Sequence, residues 1–420
     1  MEWLLSVGGI MVIAAAMMAA MGYRGREQTV GIDLGTTFSV IAVRSGGKVV
    51  IMPDRFTNRP LVPSVVSYAN DMVIVGEPAV AMRGMYPNQT IFNSKRFIGR
   101  SMKEVEDDSK NHPFRIVPNT SDDTVTDSRE AEALFSIPST GGDRQVSPID
   151  VGAEVVRHLK QSAAAFMGYD MKQAVICVPA KFSSKETAAT QKAFQRAGIK
   201  VMRVLEEPTA AAVAYNLHKT TGVRHVLVYD IGGGTLDTSL LYMNGKSVNV
   251  LGVAGDDHLG GSDFDHRMLE LLLRKLDGTG AFLDAKVETD VPAEKLPECS
   301  RNGLRVESER AKIRLSSAET TDVQCRPVGG GAVRKFAVTR EEFETACKDL
   351  FDRAIEPVSK VLEDQVMTPD NVDDVVLVGG ASRMPQLREL LRRFFGEGKR
   401  LHTEIDPDVT VAYGAANIID

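Results

Sequence analysis

Two stretches of the chain combine aspartate, glycine and hydroxyl side chains in one order. Asp33-Leu34-Gly35-Thr36-Thr37 follows Val30-Gly31-Ile32, and Asp230-Ile231-Gly232-Gly233-Gly234-Thr235 follows Val228-Tyr229. Glycines at a strand-to-strand turn bare their backbone N–H groups, because no Cβ blocks an approaching anion. Thr36, Thr37 and Thr235 add hydroxyl donors. One such turn is common and often binds nothing. Two of them, each led by an aspartate and about 200 residues apart, suit two lobes built on one pattern. Mg²⁺ takes octahedral oxygen ligands and keeps several waters, so one or two carboxylates suffice to hold it. Asp33 and Asp230 are the candidates.

Three further residues have types and places suited to phosphoryl transfer. Asp237 follows Thr235 by two residues and shares its face on a regular strand, where an aspartate is ordinarily a solvated strand end. Glu207 precedes Pro208 at a strand-to-helix junction, where an acid also simply complements the helix dipole. Lys95 offers a cation for the terminal phosphate, although a single lysine is ordinarily a surface charge. If Asp33, Glu207, Asp230 and Asp237 converge, they repel one another unless a cation joins them, which couples metal to nucleotide. Transfer to water then needs an oriented water, a base and a cation on the terminal phosphate.

The elements that must carry these residues alternate between strand and helix, an α/β pattern. Thr29–Leu34, Ser39–Arg44 and Lys48–Met52 read as a meander, and Val65–Tyr68 with Met72–Val75 as a hairpin around Asn70-Asp71. Residues 104–148 are polar and are expected to form surface loops. Ile149–Met167 is a helix by its apolar spacing, Thr187–Gly198 a helix ended by its glycine, and Ala210–Leu217 a helix with Pro208 near its first turn. Gln173–Pro179, Val201–Leu205, Val226–Asp230, Thr238–Tyr242 and Asp374–Val378 read as strands. Asp263–Leu276, Leu304–Leu315 and Met384–Phe395 read as helices, Glu341–Glu363 as one long helix after Thr339, and 277–303 as irregular.

With 420 residues, 43% hydrophobic and 25% charged, the chain is long enough for two lobes with separate cores. Its net charge of −6 gives no electrostatic footprint for nucleic acid. Leu4–Gly22 is uncharged and, as helix, about 28 Å long, close to the roughly 30 Å of a hydrocarbon core. Ala20-Met21-Gly22 also resembles a signal-peptidase site, so residues 1–26 are expected to be a signal peptide or membrane anchor. Arg24 and Arg26 favour a cytosolic domain by the positive-inside tendency. Cys177 sits in an apolar run; Cys299 and Cys325 could pair in an oxidising compartment, which spacing alone does not decide. Asn88-Gln-Thr and Asn119-Thr-Ser are glycosylation sequons that matter only in a lumenal domain.

Nine motifs in order resemble the nucleotide-binding domain of the Hsp70 family. They are Gly31-Ile-Asp-Leu-Gly-Thr-Thr, Phe92-Asn-Ser-Lys-Arg-Phe-Ile-Gly, Val178-Pro-Ala, Glu207-Pro-Thr-Ala-Ala-Ala, Asp230-Ile-Gly-Gly-Gly-Thr-Leu-Asp, His258-Leu-Gly-Gly-Ser-Asp-Phe-Asp, Glu309-Arg-Ala-Lys, Val378-Gly-Gly-Ala-Ser-Arg and Val411-Ala-Tyr-Gly-Ala-Ala. The resemblance covers Thr29 to Ile418 and implies a two-lobed actin-like, ribonuclease H-like α/β fold with a duplicated core and a central nucleotide cleft. It places lobe I at 27–212 and lobe II at 213–402, with 403–420 returning to lobe I. It implies a slow ATPase using ATP or ADP with Mg²⁺, and K⁺ as a further candidate cation. Lys95 matches the catalytic lysine; Glu207, Asp230 and Asp237 match the acids around the attacking water and cations. Asp33 matches the Mg²⁺ and phosphate aspartate. Gly35, Thr36, Thr37, Phe38, Gly232, Gly233, Gly234 and Thr235 would line the phosphates. Glu309, Lys312, Ser316, Gly379, Gly380, Arg383 and Asp408 would hold the adenosine, with Arg383 stacked on the base.

Departures from the family pattern shape the expected function. A second arginine that sandwiches adenine is Ile313 here, which forfeits a cation–π contribution of about 0.5–2 kcal/mol and implies weaker nucleotide binding. The family's relay arginine is Thr187, and no linker, peptide-binding sandwich or lid follows Asp420, so peptide-stimulated allostery is not expected. The layout resembles the microsome-associated stress-70 ATPase-core proteins, which implies the endoplasmic reticulum lumen, against the positive-inside argument. Arg203 matches a position that docks J-domain co-chaperones, and nucleotide-exchange factors are further expected partners. Two other readings stand beside the ATPase: an ATP-binding scaffold with negligible hydrolysis, and a sugar or glycerol kinase of the same fold.

Overall fold

The computed structural model describes residues 9, 11–14, 16, 17, 29–120, 127–139, 141–245, 247–277 and 295–419. Most of the apolar stretch Leu4–Gly22 lies outside them, and with it the expected anchor or signal peptide. No described helix is long and apolar enough to cross a membrane.

Two mixed sheets repeat one plan. In the first, the strand Thr29–Leu34 runs parallel to Gln173–Val178 and antiparallel to Phe38–Ser45; Lys200–Glu206 and Lys48–Ile51 lie outside them. In the second, His225–Ile231 runs parallel to Asp374–Val378 and antiparallel to Leu236–Asn244, flanked by Arg400–His402 and Ser247–Asp256. The central strand of each leads into one glycine turn, so the sequence echo is a repeat of structure. These central strands are apolar on both faces because helices cover both: Val30, Ile32, Val226, Leu227 and Tyr229 are fully buried.

Covering the first sheet takes helices from distant parts of the chain. Pro148–Met167 begins at a capping box between Ser147 and Asp150 and buries Val151, Val155 and Leu159 in the same core as Ile32 and Ile41. On the opposite face lies Thr410–Asn417, whose backbone comes so near that a Cβ on Gly31 would stand 2.4 Å from Ala416 N. The same helix crosses Glu207–Ala214 where a Cβ on Gly414 would stand 1.8 Å from Ala210 O. Small residues on both helices permit that approach, and the crossing anchors the helix whose first residue is Glu207.

Several expectations are corrected. Residues 104–148 are not only loops: Arg115–Pro118, Ala133–Ile137 and Arg144–Val146 form an antiparallel sheet. Its core is aromatic, with Phe135 packed edge-on against Phe97 and Phe114. The helix expected over Glu341–Glu363 is two, Arg340–Ala346 and Lys348–Asp364, broken at Cys347 where φ is −108° and ψ 10°. Cys347 is fully buried, so the break turns a small thiol into the core that holds Phe343 and Phe351. Two unforeseen elements are the long strand Ser247–Asp256 and the hairpin Thr320–Cys325 with Arg334–Thr339. Cys299 and Cys325 are disulfide-bonded, while Cys177 and Cys347 are free and buried. Of the stretch expected to be irregular, 278–294 lie outside the described residues.

Candidate functional site

The two glycine turns meet. A Cβ on Gly233 would fall 2.2 Å from Thr37 Oγ1, so the second turn touches the first at a hydroxyl expected to donate to phosphate. The second turn is closed by Gly232 N donating to Thr235 O at 3.0 Å, and Asp230 and Asp237 face each other as register partners across its hairpin. Gly261 N and Ser262 N, opening the helix Gly261–Asp277, donate to Gly232 O and Gly233 O at 2.9 and 2.8 Å. These bonds fix the turn from behind. In the first turn, Ser64 Oγ donates to Gly35 O at 2.7 Å, and Phe38, the first residue of the next strand, is exposed.

Beyond the turns the acids Asp33, Glu207, Asp230 and Asp237 come close enough to act on one another electrostatically. Lys95 lies in a short 3₁₀ turn, Ser94–Arg96, entered through a left-handed Asn93 at φ 56°. Its Nζ donates to Glu207 Oε1 at 2.6 Å, with the two side chains only 8% and 15% exposed. Burial works against the Lys95 charge, yet Glu207 and Asp33 hold its ammonium above the usual lysine range. Burial, then the Glu207 carboxylate, pushes Asp33 up to about 7 although Lys95 opposes this. Asp230 is pushed well above the carboxylate range by burial and by Glu207, Asp237 and Asp33. Asp237 is lifted by burial and pulled back by Lys181, whose Nζ lies 3.0 Å from its Oδ1.

Such a set is short of a cation. Asp33 Oδ1 is buried without a hydrogen-bond partner, and Asp33 and Asp230 would both ionise more readily beside a divalent ion. Among the described residues no group of three or more His, Cys, Asp or Glu side chains is arranged to hold a metal ion. Mg²⁺ suits the remainder, because it is content with one or two carboxylates and completes its shell with water and phosphate oxygens.

The residues expected around adenosine are gathered less tightly. Gly379, at φ +79°, backs onto the second turn, since a Cβ there would lie 2.2 Å from Ile231 O. Gly380 stands against Asp408, where a Cβ would meet Oδ1 at 2.6 Å. Arg383 pairs with Asp406 and, at 3.0 Å, with Asp408 Oδ2, and its side chain remains 41% exposed. On the helix Arg301–Leu315, Glu309 and Ile313 are exposed, while Lys312 is buried. Lys312 Nζ donates to Gly261 O at 3.0 Å and lies 2.7 Å from Asp265, so in this structure it braces the second turn's supporting helix. Ser316 Oγ is spent on Lys312 O at 3.4 Å.

Sequence reasoning missed Lys181 and Arg96, which reach across to partners in the second half of the chain. Arg96 Nη2 donates to Gly234 O at 2.7 Å. The available signal was their adjacency to Val178-Pro179-Ala180 and to Lys95.

A duplicated sheet, two aspartate-led turns in contact and a buried lysine–glutamate pair beside them are the architecture of the actin-like Hsp70 fold. The family profile described as Hsp70 protein matches residues 29–419. The chain is 36% identical over 393 residues to heat shock cognate 70 kDa protein 3 of Dictyostelium discoideum, covering 92% of this chain and 59% of that protein. It is 35% identical over 390 residues to heat shock 70 kDa protein 2 of Paracoccidioides lutzii, covering 92% and 56%. To heat shock 70 kDa protein of Emericella nidulans it is 36% identical over 390 residues, covering 92% and 57%. The chain belongs to the Hsp70 family, and it spans a little under three fifths of the length of these relatives.

Proposed function

We infer that this chain binds ATP·Mg²⁺ between its two glycine turns and hydrolyses it to ADP and phosphate. The carrying observation is the Lys95–Glu207 pair, 2.6 Å apart and nearly buried, set among Asp33, Asp230 and Asp237. Lys95 would place a positive charge on the terminal phosphate, and Glu207 would orient the attacking water and take up its proton. Asp33 and Asp230 would hold Mg²⁺, which when bound supplies charge neutralisation at the phosphates. Glycine N–H groups of both turns would fix the chain of phosphates between them.

The lobes we assign are 27–212 and 213–402, with 403–420 returning to lobe I. Support for that return is the packing of Thr410–Asn417 on Gly31 and Ala210. The Cys299–Cys325 bond favours an oxidising compartment, in keeping with the endoplasmic reticulum lumen. Arg203, exposed on the outer strand Lys200–Glu206, is the residue we assign to co-chaperone contact.

A scaffold that binds nucleotide without hydrolysing it is the second reading, favoured by the exposed Ile313 in place of a base-stacking cation. Single-turnover hydrolysis by residues 27–420, beside Lys95→Ala, separates the two. Phosphate release by the wild type well above that of Lys95→Ala supports the ATPase; equal background release from both leaves only the scaffold. A burst stimulated by hexose or glycerol would instead identify a kinase.

A further inference from the structure

Lys181 stands two residues beyond Pro179, just past the strand Gln173–Val178 of the first sheet. Its Nζ lies 3.0 Å from Asp237 Oδ1 and donates to Asp257 Oδ1. Asp237 is on the strand that leaves the second glycine turn; Asp257 follows the strand Ser247–Asp256. One ammonium from the first half thus bridges two carboxylates of the second.

Arg96 doubles the connection. It donates from Nη1 to Asp257 O at 2.9 Å and from Nη2 to Gly234 O at 2.7 Å. Asp257 is therefore held by a first-half cation at its side chain and by another at its backbone. Its neighbour Asp256 is anchored within the second half by Arg353 at 2.6 Å.

An isolated surface pair contributes little to stability. Lys181 and Asp257 are themselves exposed, 37% and 61%, but Asp237 is 25% exposed and is repelled by Glu207, which Lys95 already occupies. Lys181 is the lysine in contact with Asp237, and the carboxylates of Asp237 and Asp257 hold its charge firmly although burial opposes it. A fixed ammonium at 3.0 Å also repels any free cation that would otherwise settle on Asp237.

We propose that Lys181 is a positioning residue, a built-in monovalent cation that neutralises Asp237 and, through Asp257, holds the second phosphate turn against the first. Nucleotide binding then needs no free monovalent ion at that carboxylate. The nucleotide part rests on the ATP·Mg²⁺ reading above; the bracing part does not.

Backbone amide exchange of residues 233–236 and 255–259 in the nucleotide-free protein tests the brace. Lys181→Met and Asp257→Asn each speed exchange there by about tenfold, and Lys181→Arg restores it; unchanged exchange in Lys181→Met overturns the proposal. ATP·Mg²⁺ titrations in KCl and in choline chloride at equal ionic strength test the charge. The wild type binds equally in both, while Lys181→Met gains a severalfold preference for K⁺ that Asp257→Asn lacks. A wild type already as K⁺-dependent as Lys181→Met overturns the neutralising role. A wild type that binds no nucleotide defeats the ATP·Mg²⁺ reading, and the exchange measurement then decides on Lys181 by itself.

Discussion

Thr37 Oγ1 and Gly233 are in contact where the two glycine turns meet, at a spot where an added Cβ would come within 2.2 Å of the hydroxyl. The spacing between the two phosphate turns is thus set by a missing side chain. Gly233→Ala must push the turns apart or displace Thr37 from its donor position. Overpacking of this kind costs about 1–3 kcal/mol, which, if borne by the bound state, is roughly a 5- to 150-fold loss of affinity. Calorimetric titration with ATP·Mg²⁺ is expected to show that loss, with far-ultraviolet circular dichroism unchanged.

Lys95→Met removes the cation from Glu207 and Asp33 while nearly preserving volume. Loss of one positioned electrostatic group costs about 10²–10³ in rate. Single-turnover phosphate release should fall by that factor, and ATP affinity, carried mainly by the turns, should change less than about tenfold.

Protonation of Asp33 couples stability to pH. Its carboxyl is raised from 3.8 to about 7 in the fold, so between those values the native state binds the extra proton. The contribution of this group to stability is full below the unfolded value and is lost as pH rises towards about 7. Relative to Asp33→Asn, the nucleotide-free wild type should lose thermal stability from pH 5 to pH 8. If Mg²⁺ with nucleotide binds at Asp33 as proposed, it would displace that proton, and calorimetry near pH 7 in buffers of different ionisation enthalpy should register proton release on binding.

The Cys299–Cys325 bond closes a loop with a sequence separation of 26 residues. Loops of that size imply about 3–4 kcal/mol of stabilisation. Denaturant unfolding with and without a reductant should differ by about this amount, and Cys299→Ser with Cys325→Ser should reproduce the reduced curve.

Both phosphate turns and their flanking strands were legible because the information is local: an apolar run, an aspartate and glycines within eight residues. The duplicated pattern paired Asp33 with Asp230, but whether Glu207 and Asp237 would join them was left open by the sequence and depends on the fold. Other features were hidden for physical reasons. Arg115–Pro118 and Arg144–Val146 are short strands with exposed residues, and Phe135 is buried by aromatic partners that sequence order does not reveal. Helical spacing runs straight through Cys347, whose break depends on the core behind it. Lys181 looks like any surface lysine until Asp237 and Asp257 are brought to it from the second half of the chain.

The close packing of Gly31 on Ala416 joins residues at nearly opposite ends of the described chain. Translation makes them far apart in time. The strand Thr29–Leu34 leaves the ribosome about 380 residues before the helix that covers one of its faces. Until Thr410–Asn417 arrives, Val40 and Ala42 lack the partners with which they share a small core, Ala412 and Ala416. Nascent chains halted before residue 410 should therefore present an uncovered sheet face to other folding factors, and contacts of such long sequence separation make the final docking slow.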